Sequence, residues 1–383
     1  MFCPLVDVSG VLHVKVGYDG ASSQKIYKQK FEDNNVGEVS KREESLFQTS
    51  MAPLKLIIDD KDIWINKSPG STHFCRPLCL EYKKETTELI KQVHANLETE
   101  INNLKEYEYI NNDRNFKFKI RYNVTQSMLD GKCINAVTDT RSTRTCNVCK
   151  ATPKEMNDLD KIRNKPVDQN ALKIGCSILH YRINTFAFVL HIGYKLGFED
   201  NNYKVKATDP RLVARKELIQ ARFKEELSLT VDKPKPGFGS TNDGNTSRVA
   251  FANPEIFSEI TGVDFDCIER LRNVLITLSS GYPINKIKFD NYCKELLVDK
   301  YPWYPTTSSV HWMLKNSIQI QEHLTLPIGV HSEEALEGLN KEIRKACLYH
   351  TAKISRWSDL IHSFQVYILL TTESMKARNC LIL

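Results

Sequence analysis

The amino-acid sequence predicts an α/β protein built around a mixed β-sheet, and three observations support this prediction. Apolar residues alternate with Lys, Arg and Asn over residues 116–124, which is the period-two pattern of a half-buried strand. Apolar residues recur at helical spacing over 84–107, which predicts a long amphipathic helix before that strand. Two of the predicted strands lead into an aspartate followed by glycine, at Asp19 and at Asp130.

Four more strands are predicted before the strand at 116–124. They lie at 12–18, 53–59, 62–66 and 74–82, and Asp60-Lys61 forms the turn of a hairpin between the second and third. A mixed sheet that places the first strand beside the strand at 116–124 would bring Asp19 and Asp130 together. That arrangement is ribonuclease-H-like, and we expect such a core.

After Cys149 the spacing of apolar residues becomes helical. It predicts helices at 171–198, 210–229, 254–279, 285–301 and 332–350, with a loop rich in Gly, Pro, Asn and Ser at 233–248. We therefore expect three segments. Residues 1–135 form the strands and first helix of the core, 136–325 form a mostly helical insertion, and 326–383 form C-terminal helices that complete the core.

The composition is typical of a globular protein with real cores, since 41% of the 383 residues are hydrophobic. The apolar stretch at 367–370 is far shorter than the ~18 residues of a membrane helix, and the first ten residues lack the features of a secretory signal. Eleven cysteines without a regular spacing favour a reducing compartment. The net charge of +6 permits a polyanionic partner without requiring one.

The acidic residues have two interpretations. Each Asp-Gly pair alone is more typical of a turn than of a catalytic site. Together, Asp19 and Asp130 supply the hard oxygen ligands that a pair of divalent cations needs, with a glutamate as the third acid. Glu334, Glu337 and Lys341 share one face of the last predicted helix, although acids in a first helical turn are also favoured by the helix dipole.

A Cys-x-x-Cys pair, Cys146 and Cys149, is half of a tetrahedral zinc site. His311 is the best third ligand in sequence, whereas His323 lies twelve residues further on, ~18 Å away along a helix and out of reach. Two buried thiols without a metal are the alternative.

Six stretches occur in one order between about Gly17 and Ser374. They surround the two aspartates, the thiol pair, the glycine-asparagine loop, the segment before His311 and the last predicted helix. They read GYDGASSQKIYKQKF, MLDGK, CNVCKATPKEMN, GSTNDGNTSRVAF, YPWYPTTSSVH and LPIGVHSEEALEGLNKEIRK. In this order the chain resembles the catalytic core of the V(D)J recombination-activating protein, the Transib-type transposases and related transposon-derived proteins of invertebrates.

The resemblance implies a DDE recombinase. Asp19 and Asp130 match the family's catalytic aspartates, and Glu334 matches its glutamate, with Glu333 in that role if the match shifts by one. These acids would hold two Mg²⁺ or Mn²⁺ ions for attack on a DNA phosphodiester. We therefore expect an endonuclease and strand transferase that acts on double-stranded DNA at transposon ends. One alternative is a catalytically decayed module that binds DNA or protein. Another is a general nuclease acting on RNA, which leaves the insertion unexplained.

The resemblance also implies a structural Zn²⁺ at Cys146, Cys149 and His311. The family's second zinc histidine falls on Asn316, and asparagine is a poor zinc ligand beside thiolates. The family further implies a nuclear protein and allows a homodimer, whereas the short apolar stretch at 367–370 predicts no membrane partner. Because the chain starts just before the first predicted strand, we expect it to lack the family's upstream end-binding region. Candidate DNA contacts are Lys233, Lys235, Asn242, Asn245, Arg248, Lys341 and Arg344.

Overall fold

The computed structural model describes residues 6–21, 45–111, 116–158, 161–162, 164–198, 200, 204–235, 240–294 and 300–349. The chain divides into two compact units. The sheet unit comprises residues 1–137, 174–176 and 331–383, and the helical unit comprises 138–173 and 177–330. The assignment of these parts to a ribonuclease-H-like core and a zinc-associated insertion stays a prediction.

The sheet unit contains one six-stranded mixed sheet. Its strands are β1 (Val6–Ala21), β2 (Leu46–Ile58), β3 (Lys61–Ile65), β4 (Arg76–Glu81), β5 (Tyr107–Asn111) and β6 (Phe116–Met128). The order across the sheet is β3-β2-β1-β6-β5, and β4 pairs with β2. β1 is antiparallel to β2 and parallel to β6, so the predicted mixed sheet is confirmed.

The described helices lie in both units. In chain order they are α1 (Thr87–Asn102), α2 (Gly131–Val137), α3 (Gln169–Lys173), α4 (Ile178–Lys195), α5 (Pro210–Leu227), α6 (Gly244–Ala252), α7 (Pro254–Thr261), α8 (Phe265–Ser279), α9 (Lys286–Lys294), α10 (Ser308–His311), α11 (Ser317–His323) and α12 (Glu334–Tyr349). Within the described part of the chain, none of them combines the length and apolar content needed to cross a bilayer.

Helices α1 and α12 pack on opposite faces of the sheet. Successive side chains of an extended segment point to opposite faces, so Met128 and Leu129 enter different cores. Leu129 packs in the core that contains Ile90 of α1, whereas Met128 packs in the core that contains Leu336 of α12. The end of β6 is therefore covered on both sides, and Asp130 follows directly.

The helical unit is centred on α4. Eleven of the eighteen residues of this helix are buried, and Phe186 meets an aromatic cluster. Its ring centroid lies 5.5–6.5 Å from the rings of Phe223, Phe251 and Phe257, the range in which edge-to-face pairs are favourable.

Several predicted helices are shorter than their sequence pattern. The helix predicted at 84–107 ends at Asn102, and Tyr107 already begins β5. The one predicted at 171–198 is divided into α3 and α4, and the one at 254–279 is divided at Gly262, where φ is +74°. Residues 236–239, 295–299 and 350–383 lie outside the described chain, and so do parts of the predictions made for them.

Candidate active site

Asp19 and Asp130 lie at the same edge of the sheet because β1 and β6 are parallel neighbours. The register pairs Gly17 with Met128 after a shift between Val16 and Gly17. A Cβ atom at Gly17 would lie 1.9 Å from the Met128 carbonyl oxygen, closer than any side chain allows. Glycine at this position therefore lets the two strands approach just before their aspartates.

Asp130 caps a helix and also lies among possible metal ligands. Its Oδ1 accepts a hydrogen bond from the backbone N–H of Cys133 at 2.7 Å, which caps the start of α2. Its carboxylate also belongs to a cluster of possible metal ligands with Glu85 and Cys133, whose ligand atoms all lie within 4.8 Å of one another. The capping bond fixes the orientation of a carboxylate that faces other acids.

Glu85 is an acid that the sequence did not single out. It precedes the N-cap of α1, and its side chain lies against Gly20, where an added Cβ would be 2.8 Å from Glu85 Oε2. Lys132 Nζ lies 3.1 Å from the same oxygen. Burial, and then the negative charge of Asp130, raise the pKa of Glu85, which the hydrogen bonds from Lys132 and Cys133 partly offset.

The acids near Asp130 also affect the pKa of Asp19. Burial raises the pKa of Asp19 well above its usual value, and the charges of Asp130, Glu85 and Glu337 raise it further. Asn340 Nδ2 donates a hydrogen bond of 2.6 Å to Asp19 Oδ2. The buried Oδ1 of Asn340 has no hydrogen-bond partner among the described residues.

Glu334 and Glu337 point in different directions from α12. Three residues turn an α-helix by about 300°, so Glu334, Glu337 and Asn340 spread over roughly 120° of its surface. Glu334 Oε2 lies 3.0 Å from the Cβ position of Gly70, on the side of the helix that also contacts Thr72. Glu337 lies on the side that reaches Asp19. The structure thus brings Glu85 and Asp130 together beside Asp19, lets the charge of Glu337 act on Asp19, and places Glu334 against the loop at Gly70.

Glu333 lies in a different environment. It is 2% exposed, and its charge acts on the buried ammonium of Lys15. Lys15 Nζ donates to the Ser332 carbonyl oxygen at 2.7 Å. Glu333 therefore belongs to the packing between β1 and the start of α12.

The acid cluster suits a divalent cation. Carboxylate oxygens are the ligands that Mg²⁺, Mn²⁺ and Ca²⁺ prefer, and several carboxyl groups gathered in a partly buried site repel one another without a cation. The partnerless Oδ1 of Asn340 is a further acceptor that a cation or its water could satisfy.

The thiol cluster lies in the helical unit. Cys146, Cys149 and His311 are all buried, with ligand atoms within 4.8 Å of one another, and Cys149 Sγ is 3.2 Å from His311 Nε2. Lys150 adopts a left-handed φ of 55°, and its N–H donates to the Cys146 carbonyl, which turns the chain back at the cysteines. Cys146 Sγ donates to Asn316 Oδ1 at 3.3 Å.

This donor set fits a soft metal ion. The 3.2 Å edge between Cys149 Sγ and His311 Nε2 compares with about 3.5 Å in a tetrahedron with the usual zinc–nitrogen and zinc–sulfur bond lengths. Backbone N–H groups of Val148 and Cys149 face the Cys146 sulfur, and that of Ala151 faces Cys149. The proximity of the two sulfur atoms lowers the pKa of Cys149 and raises that of Cys146.

The candidate DNA contacts are distributed over both units. Lys341 and Arg344 lie on α12, whereas the other five lie around the start of α6. Asn242 is used within its own loop, because its Oδ1 accepts from the Asp232 N–H at 2.7 Å. Arg248 Nη1 donates to Asn245 Oδ1 at 3.3 Å, and Lys235 lies 4.0 Å from Asp243. None of these contacts tests DNA binding, which stays a prediction.

One feature could have drawn attention to two of the three missed residues. Glu337 and Asn340 lie three residues apart on one flank of the apolar stripe of Leu336, Leu339 and Ile343, and Asn340 lies one turn after Leu336. Glu85 has no such pattern, because an acid beside a helix N-terminus is common for electrostatic reasons alone. Neither a family model nor a curated protein sequence matches the chain.

Proposed function

We propose that the sheet unit is the catalytic core of a divalent-cation-dependent DNA recombinase that cleaves and transfers DNA strands at transposon ends. The observation that supports this proposal is the clustering of Glu85 and Asp130 beside Asp19 at one edge of the sheet, where the charge of Glu337 also acts on Asp19. Clustered carboxylates would weaken DNA binding by a protein that only binds DNA, since they repel the phosphates of the DNA backbone.

The residues of this site would have different roles in binding cations. Asp19 and Asp130 are fixed by hydrogen bonds from Asn340 and from the Cys133 N–H, which leave oxygens on both carboxylates for ligation. Glu85 and Glu337 approach the aspartates from α1 and α12. Paired Mg²⁺ or Mn²⁺ ions would supply Lewis acidity toward a scissile phosphate and its attacking hydroxyl. Lys132, beside Glu85, is placed to balance negative charge near the site.

We place Glu337, rather than Glu334, as the acid that α12 supplies to the reaction. Glu337 acts electrostatically on Asp19, whereas Glu334 contacts the loop at Gly70. Glu85 is the fourth acid, which the proposal adds to the predicted three. The nuclear location, a homodimer and the DNA contacts of Lys341 and Arg344 are further parts of this proposal.

A plasmid-nicking assay tests the proposal. The native chain, incubated with supercoiled DNA and Mg²⁺ or Mn²⁺, is expected to nick it, and a chelator should stop the reaction. Asp130→Asn and Glu337→Gln should each lower the rate at least ~100-fold, since each removes a charge from the cation site. Glu334→Gln is the matched control on the same helix and should retain the native rate within a few-fold.

The outcomes separate the alternatives. Equal nicking by the native chain and Asp130→Asn would contradict the catalytic assignment. Binding of duplex DNA without any nicking would favour the catalytically decayed module, for which the substitution of Asn316 at the thiol cluster is the supporting observation. Loss of activity in Glu334→Gln but not in Glu337→Gln would return the third acid to Glu334.

A further inference from the structure

A cavity of about 500 Å³ lies in the helical unit, along one face of α4. Five residues of this helix line the cavity at positions i, i+3, i+4, i+7 and i+11, namely Asn184, Ala187, Phe188, His191 and Lys195. These positions fall within about 100° of the helix circumference. The middle of this face is apolar and its two ends are polar, and the volume lies in the ~300–1,000 Å³ range of small-molecule sites.

A second wall of the cavity comes from the segment that precedes α10. Residues 304–309 line the cavity, and the side chain of Asn157 holds their backbone. Asn157 Nδ2 donates to the Tyr304 carbonyl oxygen at 2.9 Å, and its Oδ1 accepts from the Thr306 N–H at 2.8 Å. The ring of Pro305 restricts the backbone between these two bonds. This wall is therefore fixed by the protein itself, which reduces the entropy cost of binding a ligand.

The cavity is positively charged. The described residues that line it include the cations Arg144 and Lys195 and no carboxylate. Ser308 Oγ donates to the Thr143 carbonyl oxygen at 2.7 Å, which holds the chain beside Arg144 to the second wall. Lys195 Nζ lies 5.5 Å from the centre of the Tyr304 ring, and burial lowers the pKa of Lys195. An anion in the cavity would stabilise this partly buried ammonium group.

The chemistry of the lining fits a phosphate ester. A guanidinium group forms paired hydrogen bonds with phosphate oxygens, and an ammonium group adds a point charge. Apolar surface for an organic group comes from the half-buried residues Pro153, Ala187 and Pro305. Inorganic phosphate would leave this surface uncovered, whereas a ligand of the size of one nucleotide would use both the cations and the apolar surface.

We propose that this cavity binds one nucleotide, with its phosphate at Arg144 and Lys195 and its organic part against Ala187 and Pro305. The phosphate is that of a free mononucleotide or of the 5′ end of a DNA strand, since the same groups recognise both. This inference is independent of the acid cluster, of the thiol cluster and of DNA cleavage.

Calorimetric titration with dAMP tests the inference, in a chelator so that cations at the acid cluster do not bind the nucleotide. The native chain is expected to bind one dAMP. Deoxyadenosine, which lacks the phosphate, should bind at least ~10-fold more weakly, and Arg144→Gln should weaken dAMP binding by a similar factor. Arg141→Gln is the matched control, because Arg141 is an exposed arginine three residues away that does not line the cavity.

A second pair of variants changes the shape of the cavity and leaves its charge intact. Ala187→Phe fills the cavity from α4 and should abolish dAMP binding, whereas Ala187→Ser should retain it. If Ala187→Phe does not fold, Arg144→Gln still decides, since Arg144 is exposed. The inference is overturned by a native chain that does not saturate with dAMP, by equal affinity for deoxyadenosine, or by native affinity in Arg144→Gln.

A competition experiment identifies the source of the phosphate once dAMP binds. Displacement of dAMP by a 5′-phosphorylated trinucleotide, but not by the unphosphorylated form, would support the inference and assign the phosphate to a strand end. Retention of dAMP against both trinucleotides would support it for a free mononucleotide.

Discussion

Asn340 Nδ2 lies 2.6 Å from Asp19 Oδ2, which joins α12 to the end of β1 across 321 residues of sequence. The bond is donated by a neutral amide, so it orients the carboxylate without neutralising it. A lysine at the same place would form an ion pair and compete with a bound cation. The contact therefore positions Asp19 and keeps its charge available.

Asn340→Ala should weaken the binding of Mn²⁺ by about 10- to 100-fold, as the loss of a hydrogen bond to a ligating carboxylate commonly does. Without the donor, the pKa of Asp19 should rise further, so the affinity deficit should be smaller at higher pH. Calorimetric titration at two pH values would measure both effects. Lys341→Ala, one residue along and exposed, is the control and should bind Mn²⁺ normally. Unchanged affinity in Asn340→Ala would contradict the positioning role.

Asp19→Asn should make the cation-free protein more stable at neutral pH. Because the folded-state pKa of Asp19 is raised, the folded state binds more protons than the unfolded state above the unfolded pKa, and stability falls as pH rises through that window. The isosteric amide removes this cost and can still accept from Asn340.

Thermal melts in a chelator should show a Tm about 2–4 °C higher for Asp19→Asn than for the native chain, which corresponds to ~1 kcal/mol. Saturating Mg²⁺ should raise the Tm of the native chain and leave that of the variant nearly unchanged. A variant that is destabilised in chelator would indicate that Asp19 is a structural residue.

Gly17→Ala should destabilise the protein by ~2 kcal/mol or more, since its Cβ would overlap the Met128 carbonyl oxygen and force β1 from β6. Gly131→Ala is the matched control beside the second aspartate. An added Cβ at Gly131 meets nothing within 4 Å, and alanine favours a helix by about 1 kcal/mol over glycine. Urea denaturation should therefore move the two midpoints in opposite directions, and equal shifts would contradict the close approach at Gly17.

The sequence could predict the strands that end near the two aspartates, because the period-two alternation of a half-buried strand is visible without knowledge of its neighbours. The parallel pairing of β1 with β6 is a further assumption about strand order, and the structure contains that pairing. The sequence could not decide which glutamate of α12 faces the site. That choice depends on about 60° of helix rotation, which the packing of Leu336 and Leu339 against the sheet sets.

The thiol cluster shows a second limit of sequence reasoning. Cys146, Cys149 and His311 could be predicted from ligand types and spacing. The orientation of Asn316 could not, because the sequence gives no sign of a π-turn at 312–316 and ordinary helical geometry would turn residue 316 away. Local irregularities that tertiary packing stabilises cannot be read from the spacing of apolar residues, and the predicted helix that is divided at Gly262 illustrates the same point.

Lys15→Met should remove a pH dependence of stability. Lys15 is fully buried on β1, and burial lowers its pKa to about 8 from 10.5. Between these values the unfolded state binds more protons, so the native protein should gain stability as pH rises from 7 to 9, by roughly 1 kcal/mol. Nearby Cys75 stays a thiol in this range, because burial raises its pKa to about 12.

The pH dependence of Lys15→Met should lack this gain, and the difference between the two proteins cancels the titration of groups that they share. Urea midpoints at pH 7 and 9 would measure it. The same substitution also removes the bond from Lys15 Nζ to the Ser332 carbonyl, which holds the start of α12 to β1. Since Glu337 and Asn340 depend on that helix for their position, the variant should bind Mn²⁺ more weakly at both pH values. Parallel stability curves for the two proteins would show that Lys15 carries the same charge when folded and unfolded.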